Sequence, residues 1–207
     1  MQALDFFEGL EADNSKTYWT ANKATYDEAV YAPMAALVED LEAEFGSGKI
    51  FRPYRDVRFS ADKTPYKTNI AAVLGEGYVQ LTAAGLSAGS GMWMMASDQL
   101  ARYRAAVADN STGAELERVI AGITRKKIKV QGHDELKTVP RGYDKDHPRA
   151  DLLRNKGLVA WQEWPVAPWL SKPAAKDKVA EFFRASRPLA QWLDNHVGES
   201  TAPRSGR

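Results

Sequence analysis

The sequence predicts an α+β fold: an antiparallel sheet meander packed against N-terminal and C-terminal helices in a single domain. Three patterns carry that expectation. Apolar residues recur at helical spacing through the first 45 residues. Residues 69–92 then alternate apolar and polar, with glycine at the turns. Helical spacing returns at Ser97 and closes the chain.

Residues 5–10 form a short amphipathic start. Asn14 or Ser15 can cap a helix running to about Tyr31, because a short polar side chain accepts from the free N–H groups of a first turn. Trp19, Tyr26 and Val30 follow at helical spacing. Pro33 either kinks this helix or starts the next. Met34, Leu37, Leu41 and Phe45 continue the apolar stripe, and Gly46 is a natural stop.

Residues 69–74 read as a strand ending in Gly75-Glu76-Gly77. Residues 78–83 place Val79, Leu81 and Ala83 on one face. Ala84-Gly85 turns the chain into a strand over 86–92, where Gly89 and Gly91 point to a bulge or a close approach. Helices are expected over 97–108 and 111–124, the second opened by a Thr112-x-x-Glu115 capping box. Residues 125–130 read as a lysine-rich edge strand. A short helix over 148–156 and a strand over 158–164 follow. A final helix, or two broken near Pro188, spans 173–197. Residues 1–198 form the expected domain and 199–207 a flexible polar tail.

At 44% hydrophobic and 27% charged, the composition is that of a globular protein. With no cysteine, disulfides, thiolate zinc sites and a thiol nucleophile are excluded. The acidic start and the lack of a long apolar run argue for a cytoplasmic protein that neither enters nor crosses a membrane. Charge is distributed unevenly. The first 48 residues carry ten acids against Lys16 and Lys23, a balance of −8 within a total of +1. Bulk attraction to DNA is therefore disfavoured, while a local basic face is allowed.

Two segments supply that face. Residues 49–67 hold Lys49, Arg52, Arg55, Arg58, Lys63 and Lys67 against Asp56 and Asp62, a balance of +4, interleaved with Phe51, Tyr54, Phe59 and Tyr66. Guanidinium groups grip phosphate or carboxylate with paired N–H bonds, and aromatic faces stack on bases, sugars or arginines. Pro53 and Pro65 stiffen the loop and disfavour a regular helix. The alternative is that these arginines pair with the acids of 39–44, at a helix C-terminus where the dipole disfavours them. Residues 137–156 hold six cations, among them Arg141, Arg149 and Arg154, against Asp144, Asp146 and Asp151. His147 between Asp146 and Pro148 has the chemistry of a general base, or of an ordinary hydrogen-bonding residue. No nucleotide-binding, hydrolase or metal-binding motif is present, and no metal or other cofactor is expected.

These segments carry a resemblance. The carrying residues are Phe6-Phe7 with Asn14-x-Lys16 and Trp19; Phe51-Arg-Pro-Tyr-Arg-Asp-Val-Arg-Phe-Ser60 followed by Asp62-Lys-Thr-Pro-Tyr-Lys67; Gly85-Leu with Gly89-x-Gly91; and Pro140-Arg-Gly-Tyr-x-x-x-His-Pro-Arg149 followed by Leu152-Leu-Arg-x-Lys156. Over nearly the whole chain the sequence resembles the domain of unknown function 2461 family of bacteria and fungi. The resemblance implies a similar one-domain architecture and brings no activity with it. Ala83-Ala84 departs from the family by occupying a turn that is often polar.

The expected function is binding of a small phosphorylated or carboxylated ligand. Arg52, Arg55, Arg58, Lys63, Tyr66 and Lys67 would meet Arg141, Arg149 and Arg154 in one pocket, with Asp56 or His147 moving protons if chemistry occurs. The alternatives are a module for single-stranded nucleic acid, and a structural or partner-binding protein with internally paired arginines.

Overall fold

A computed structural model describes residues 1–58, 61–75 and 77–201. The fold is α+β. Six strands form one antiparallel sheet in the order β1-β2-β3-β4-β6-β5. They are β1 (Gly48–Ile50), β2 (Asn69–Leu74), β3 (Gly77–Thr82), β4 (Gly85–Met92), β5 (Lys129–His133) and β6 (Gly157–Pro165). β2, β3 and β4 follow one another as the expected meander, and β1 adds a strand beside β2 that was not expected. By its contacts the chain divides into two compact units, one of residues 1–88 and 163–181, the other of 89–162 and 182–207.

The first unit opens with α1 (Gln2–Ala12), α2 (Lys16–Ala21) and α3 (Lys23–Thr25). A π-helical segment, Tyr26–Tyr31, runs directly into α4 (Ala32–Phe45). The sequence explains the π turn. Tyr26, Val30, Met34 and Val38 are all buried and lie four apart. On an α-helix each step of four overshoots a full turn by roughly 40°, so three such steps would carry the stripe off the core. A wider turn takes part of that rotation back. Pro33 therefore sits near the start of α4 in one continuous rod and does not break it. Gly46 ends the helix as expected. Phe7, Leu10, Ala72, Leu74 and Val79 complete this unit's core, each large aliphatic side chain contributing roughly 1.5–3 kcal/mol by burial.

The second unit contains α5 (Ser97–Ala108), α6 (Asn110–Arg125) and α7 (Ala150–Arg154). Its core includes Tyr103, Leu116, Ile123, Leu153, Leu158, Leu189 and Trp192. α8 (Ala174–His196) is one helix through Pro188 and contributes residues to both units. The capping box expected at Thr112 does not form. Asp109, in an extended conformation, caps α6 instead, accepting from the amides of Ser111 and Thr112 at 2.9 Å each. An ionised carboxylate is the stronger acceptor at a positive helix end. The helix runs from Asn110 through Arg125, and the edge strand expected over 125–130 lies at 129–133. Gly89 and Gly91 mark a close approach: a Cβ on Gly89 would meet the Trp161 ring at 2.7 Å, and Gly91 combines φ +121° with the Leu158 carbonyl at its back.

Candidate functional site

Residues 51–67 leave the sheet as an extension of the β1–β2 pair. The Phe51 amide donates to the Ala71 carbonyl at 2.9 Å. The pairing resumes as a bridge between Tyr54 and Tyr66, framed by Lys67 N–H to Pro53 carbonyl at 2.8 Å and Arg55 N–H to Pro65 carbonyl at 2.9 Å. Both prolines thus serve as acceptors only, the one ladder role open to a residue without an N–H. Among the described residues the segment is otherwise irregular, as expected; Phe59 and Ser60 lie outside them.

In such a frame the Tyr54–Tyr66 pair is the non-hydrogen-bonded kind, so Tyr66 turns its own N–H and C=O away from Tyr54. Asn14 meets both groups. Its Oδ1 accepts from the Tyr66 amide at 3.0 Å, and its Nδ2 donates to the Tyr66 carbonyl at 3.1 Å. The carboxamide stands in for a neighbouring strand. Ser15, the neighbour of Asn14, is the cap of α2, accepting from the Tyr18 amide at 3.1 Å. α2 also carries Trp19, whose indole stacks on the Tyr66 ring at 4.4 Å and 8°. Phe6, Tyr26 and Tyr54 pack around Trp19. Burial raises the Tyr66 hydroxyl above its usual range, with a smaller push from Tyr54. Tyr66, expected as a ligand contact, is thus an anchor of the loop. The residue is 5% exposed, whereas Tyr54 is 47% and Phe51 37% exposed.

The cations of the loop fall into two sets. Arg55 pairs with Asp62 and donates to Thr64 Oγ1 at 2.6 Å. Arg58 makes two bonds to the Asp56 carboxylate, at 2.9 and 2.7 Å. Lys63 donates to the Val57 carbonyl at 2.9 Å. Arg55 and Arg58 thus pair with acids of the loop itself. The side-chain and backbone bonds from Arg58 hold the Asp56 carboxyl down at about 2, which leaves it a weak proton acceptor at neutral pH. The second set is Arg52 and Lys67. Among the described residues neither has an ion-pair partner. The Lys67 ammonium lies over the Phe51 ring, 5.4 Å from its centre. Burial lowers the Lys67 pKa, and the charge of Arg52 lowers it further. The charge of these two neighbouring cations is not offset by a bonded acid among the described residues.

The second basic segment belongs to the other unit and has different work. Arg149 is 7% exposed. Its guanidinium donates to the carbonyls of Val107 at 2.6 Å and Ala108 at 3.2 Å, at the end of α5, and to that of Asp109 at 3.1 Å, which also accepts from the Gly113 amide. Glu117 lies 3.6 Å away. Arg149, expected as a ligand contact, is instead the cap of α5. His147 Nδ1 accepts from the Arg149 amide at 3.0 Å, which shapes the turn before α7. Arg154 pairs with Asp151 at 3.0 Å. Arg141 is exposed in a turn closed by Tyr143 N–H to the Pro140 carbonyl at 3.3 Å. No group of histidines and acids that could hold a metal occurs among the described residues.

Asn14 and Trp19 are the residues that sequence reasoning assigned to helix capping and core. Their joint presence with the 51–67 segment in the motif set was the available signal that they serve the loop. A family model described as conserved hypothetical protein (DUF2461) matches residues 2–192. No curated protein and no solved structure matches the chain.

Proposed function

We propose that this chain, which belongs to the DUF2461 family, binds a small oxyanion, phosphate or carboxylate, at the 51–67 loop. The observation that carries the reading is the adjacency of Arg52 and Lys67, without a bonded acid among the described residues, on a loop fixed by Asn14 and Trp19. A fixed loop loses little entropy when a ligand arrives. Arg55, held by Asp62 and Thr64, and Lys63 supply further positive field. Arg58 takes part by exchanging Asp56 for the ligand. The reading is one of binding: the low pKa of Asp56 argues against a base there. It takes the protein to be cytoplasmic. No helix of the described residues is long and apolar enough to cross a membrane.

Calorimetric titration with inorganic phosphate tests the reading. Saturable binding is expected, with a rise in the thermal midpoint. Arg52→Ala and Lys67→Ala should each weaken it about tenfold or more, the scale of a hydrogen bond to a charged group. A parent protein that takes up neither phosphate nor acetate refutes it. The exposed faces of Phe51 and Tyr54 favour a second reading, single-stranded nucleic acid stacked beside the same cations. Binding of an oligothymidylate that falls steeply with salt and is lost in Phe51→Ala would favour that reading over the first.

A further inference from the structure

A cavity of about 510 Å³ opens in the first unit and shares no lining residue with the basic loop. Its floor is Ala3, Val30, Met34 and Leu86, all at least nine-tenths buried. Its walls are aliphatic side chains that keep part of their surface uncovered, Leu37, Leu81 and Leu170. Small residues, Ala29 and Ala175 among them, also line the space. Charge is confined to the rim. Lys176 pairs with Asp40 at 3.3 Å, and both remain largely exposed. Lys172 is exposed and has no ion-pair partner among the described residues. Two cations against one acid leave the rim positive.

We infer that this cavity binds an aliphatic carboxylate, with the hydrocarbon chain on the floor and the carboxylate at Lys172 and Lys176. The volume is that of a small-molecule site, which is typically apolar with a few polar groups that fix orientation. An apolar interior with a charged rim selects for an amphiphile. The floor offers no side-chain hydrogen bond to a polar ligand, and the rim excess favours an anionic head over a neutral or cationic one. A peptide is a poorer occupant, because its buried amides would face an aliphatic wall unpaired. The inference is independent of the oxyanion reading of the 51–67 loop.

The test uses decanoate, kept below its aggregation threshold, and protein labelled at the methionine methyl groups. The five methionines are Met1, Met34, Met92, Met94 and Met95. Saturable shifts of the Met34 resonance are expected, with Met92, Met94 and Met95 unmoved. Ala29→Phe, which fills the cavity, should abolish binding; should that variant fail to fold, the methyl shifts of the parent still decide. Lys172→Glu should weaken decanoate about three- to tenfold, the range of an exposed ion pair and its reversal, and leave decanol unchanged. Arg52→Ala should leave decanoate binding intact, which separates this site from the loop. No saturable binding, shifts at Met92, Met94 or Met95 in place of Met34, or loss of decanoate in Arg52→Ala overturns the inference. Equal affinities for decanoate and decanol overturn its carboxylate half.

Discussion

Replacing Asn14 with alanine removes one small side chain and leaves two main-chain groups without partners. Asn14 supplies both a donor and an acceptor to Tyr66, at 3.1 and 3.0 Å. Each buried main-chain group left unpaired costs roughly 1–3 kcal/mol. Asn14 is itself only half-buried, so water repairs part of the loss, and the net cost of Asn14→Ala should be about 2 kcal/mol. For a chain of this size that corresponds to a fall in thermal midpoint of about 4–8 °C. Asn14→Asp separates the two bonds. Its carboxylate still accepts from the Tyr66 amide, but it repels the Tyr66 carbonyl until it is protonated. The aspartate variant should therefore recover stability as pH falls through the carboxylate range, a response the alanine variant lacks. Urea unfolding followed by tryptophan fluorescence measures all three proteins. An alanine variant within about 0.5 kcal/mol of the parent, the scatter of ordinary surface substitutions, would refute the clamp.

Three further outcomes follow from the geometry. Arg149→Met should cost roughly 2–4 kcal/mol, because the carbonyls of Val107 and Ala108 lose their donor and that of Asp109 keeps only the Gly113 amide; phosphate affinity of the folded variant should match the parent, and a stable variant with lost affinity would return Arg149 to the ligand site. Gly89→Ala should destabilise by roughly 1–3 kcal/mol through overlap with the Trp161 ring, seen as a lower urea midpoint, and neutrality would refute the close approach. The Asp56 carboxyl is lowered from 3.8 to about 2 by Arg58, so the folded state binds its proton less readily than the unfolded chain. Its contribution is present above pH 4 and lost as pH falls through about 2. The stability difference between the parent and Asp56→Asn should vanish over that window, and a difference that persists below it would refute the assignment to Arg58.

Much of the fold was legible because periodicity reports it. The strand residues Val79 and Leu81 and the stripe from Tyr26 to Leu41 declare their faces by spacing alone. Other features depend on three-dimensional partners. The three-residue strand β1 was hidden at the head of a basic segment whose charge drew attention instead. The loss of the Thr112 box to Asp109 turned on a competition between two caps three residues apart. At the site, composition located the 51–67 loop and foresaw its irregular course. It could not say that Tyr66 and Arg149 face inward, because an aromatic or a guanidinium has the same letter whether it meets a ligand or a neighbouring carbonyl. The cavity left no mark in the sequence, since its lining is drawn from segments far apart in the chain, among them residues 29–40 and 170–176.

The discontinuity of the first unit sets an order on its completion during synthesis. Residues 89–162, 74 in all, must be made between Ala88 and the second part of that unit, residues 163–181. At about 5–20 residues per second this takes roughly 4–15 s. Throughout that interval Val30, Met34 and Leu86 lack the wall that Leu170 and Pro173 supply. The nascent chain thus presents an aliphatic surface for seconds before its own later segment arrives, which is long on the timescale of hydrophobic collapse. A holdase has its natural opportunity there, and truncation after Ala88 should yield a fragment that aggregates where the whole chain does not.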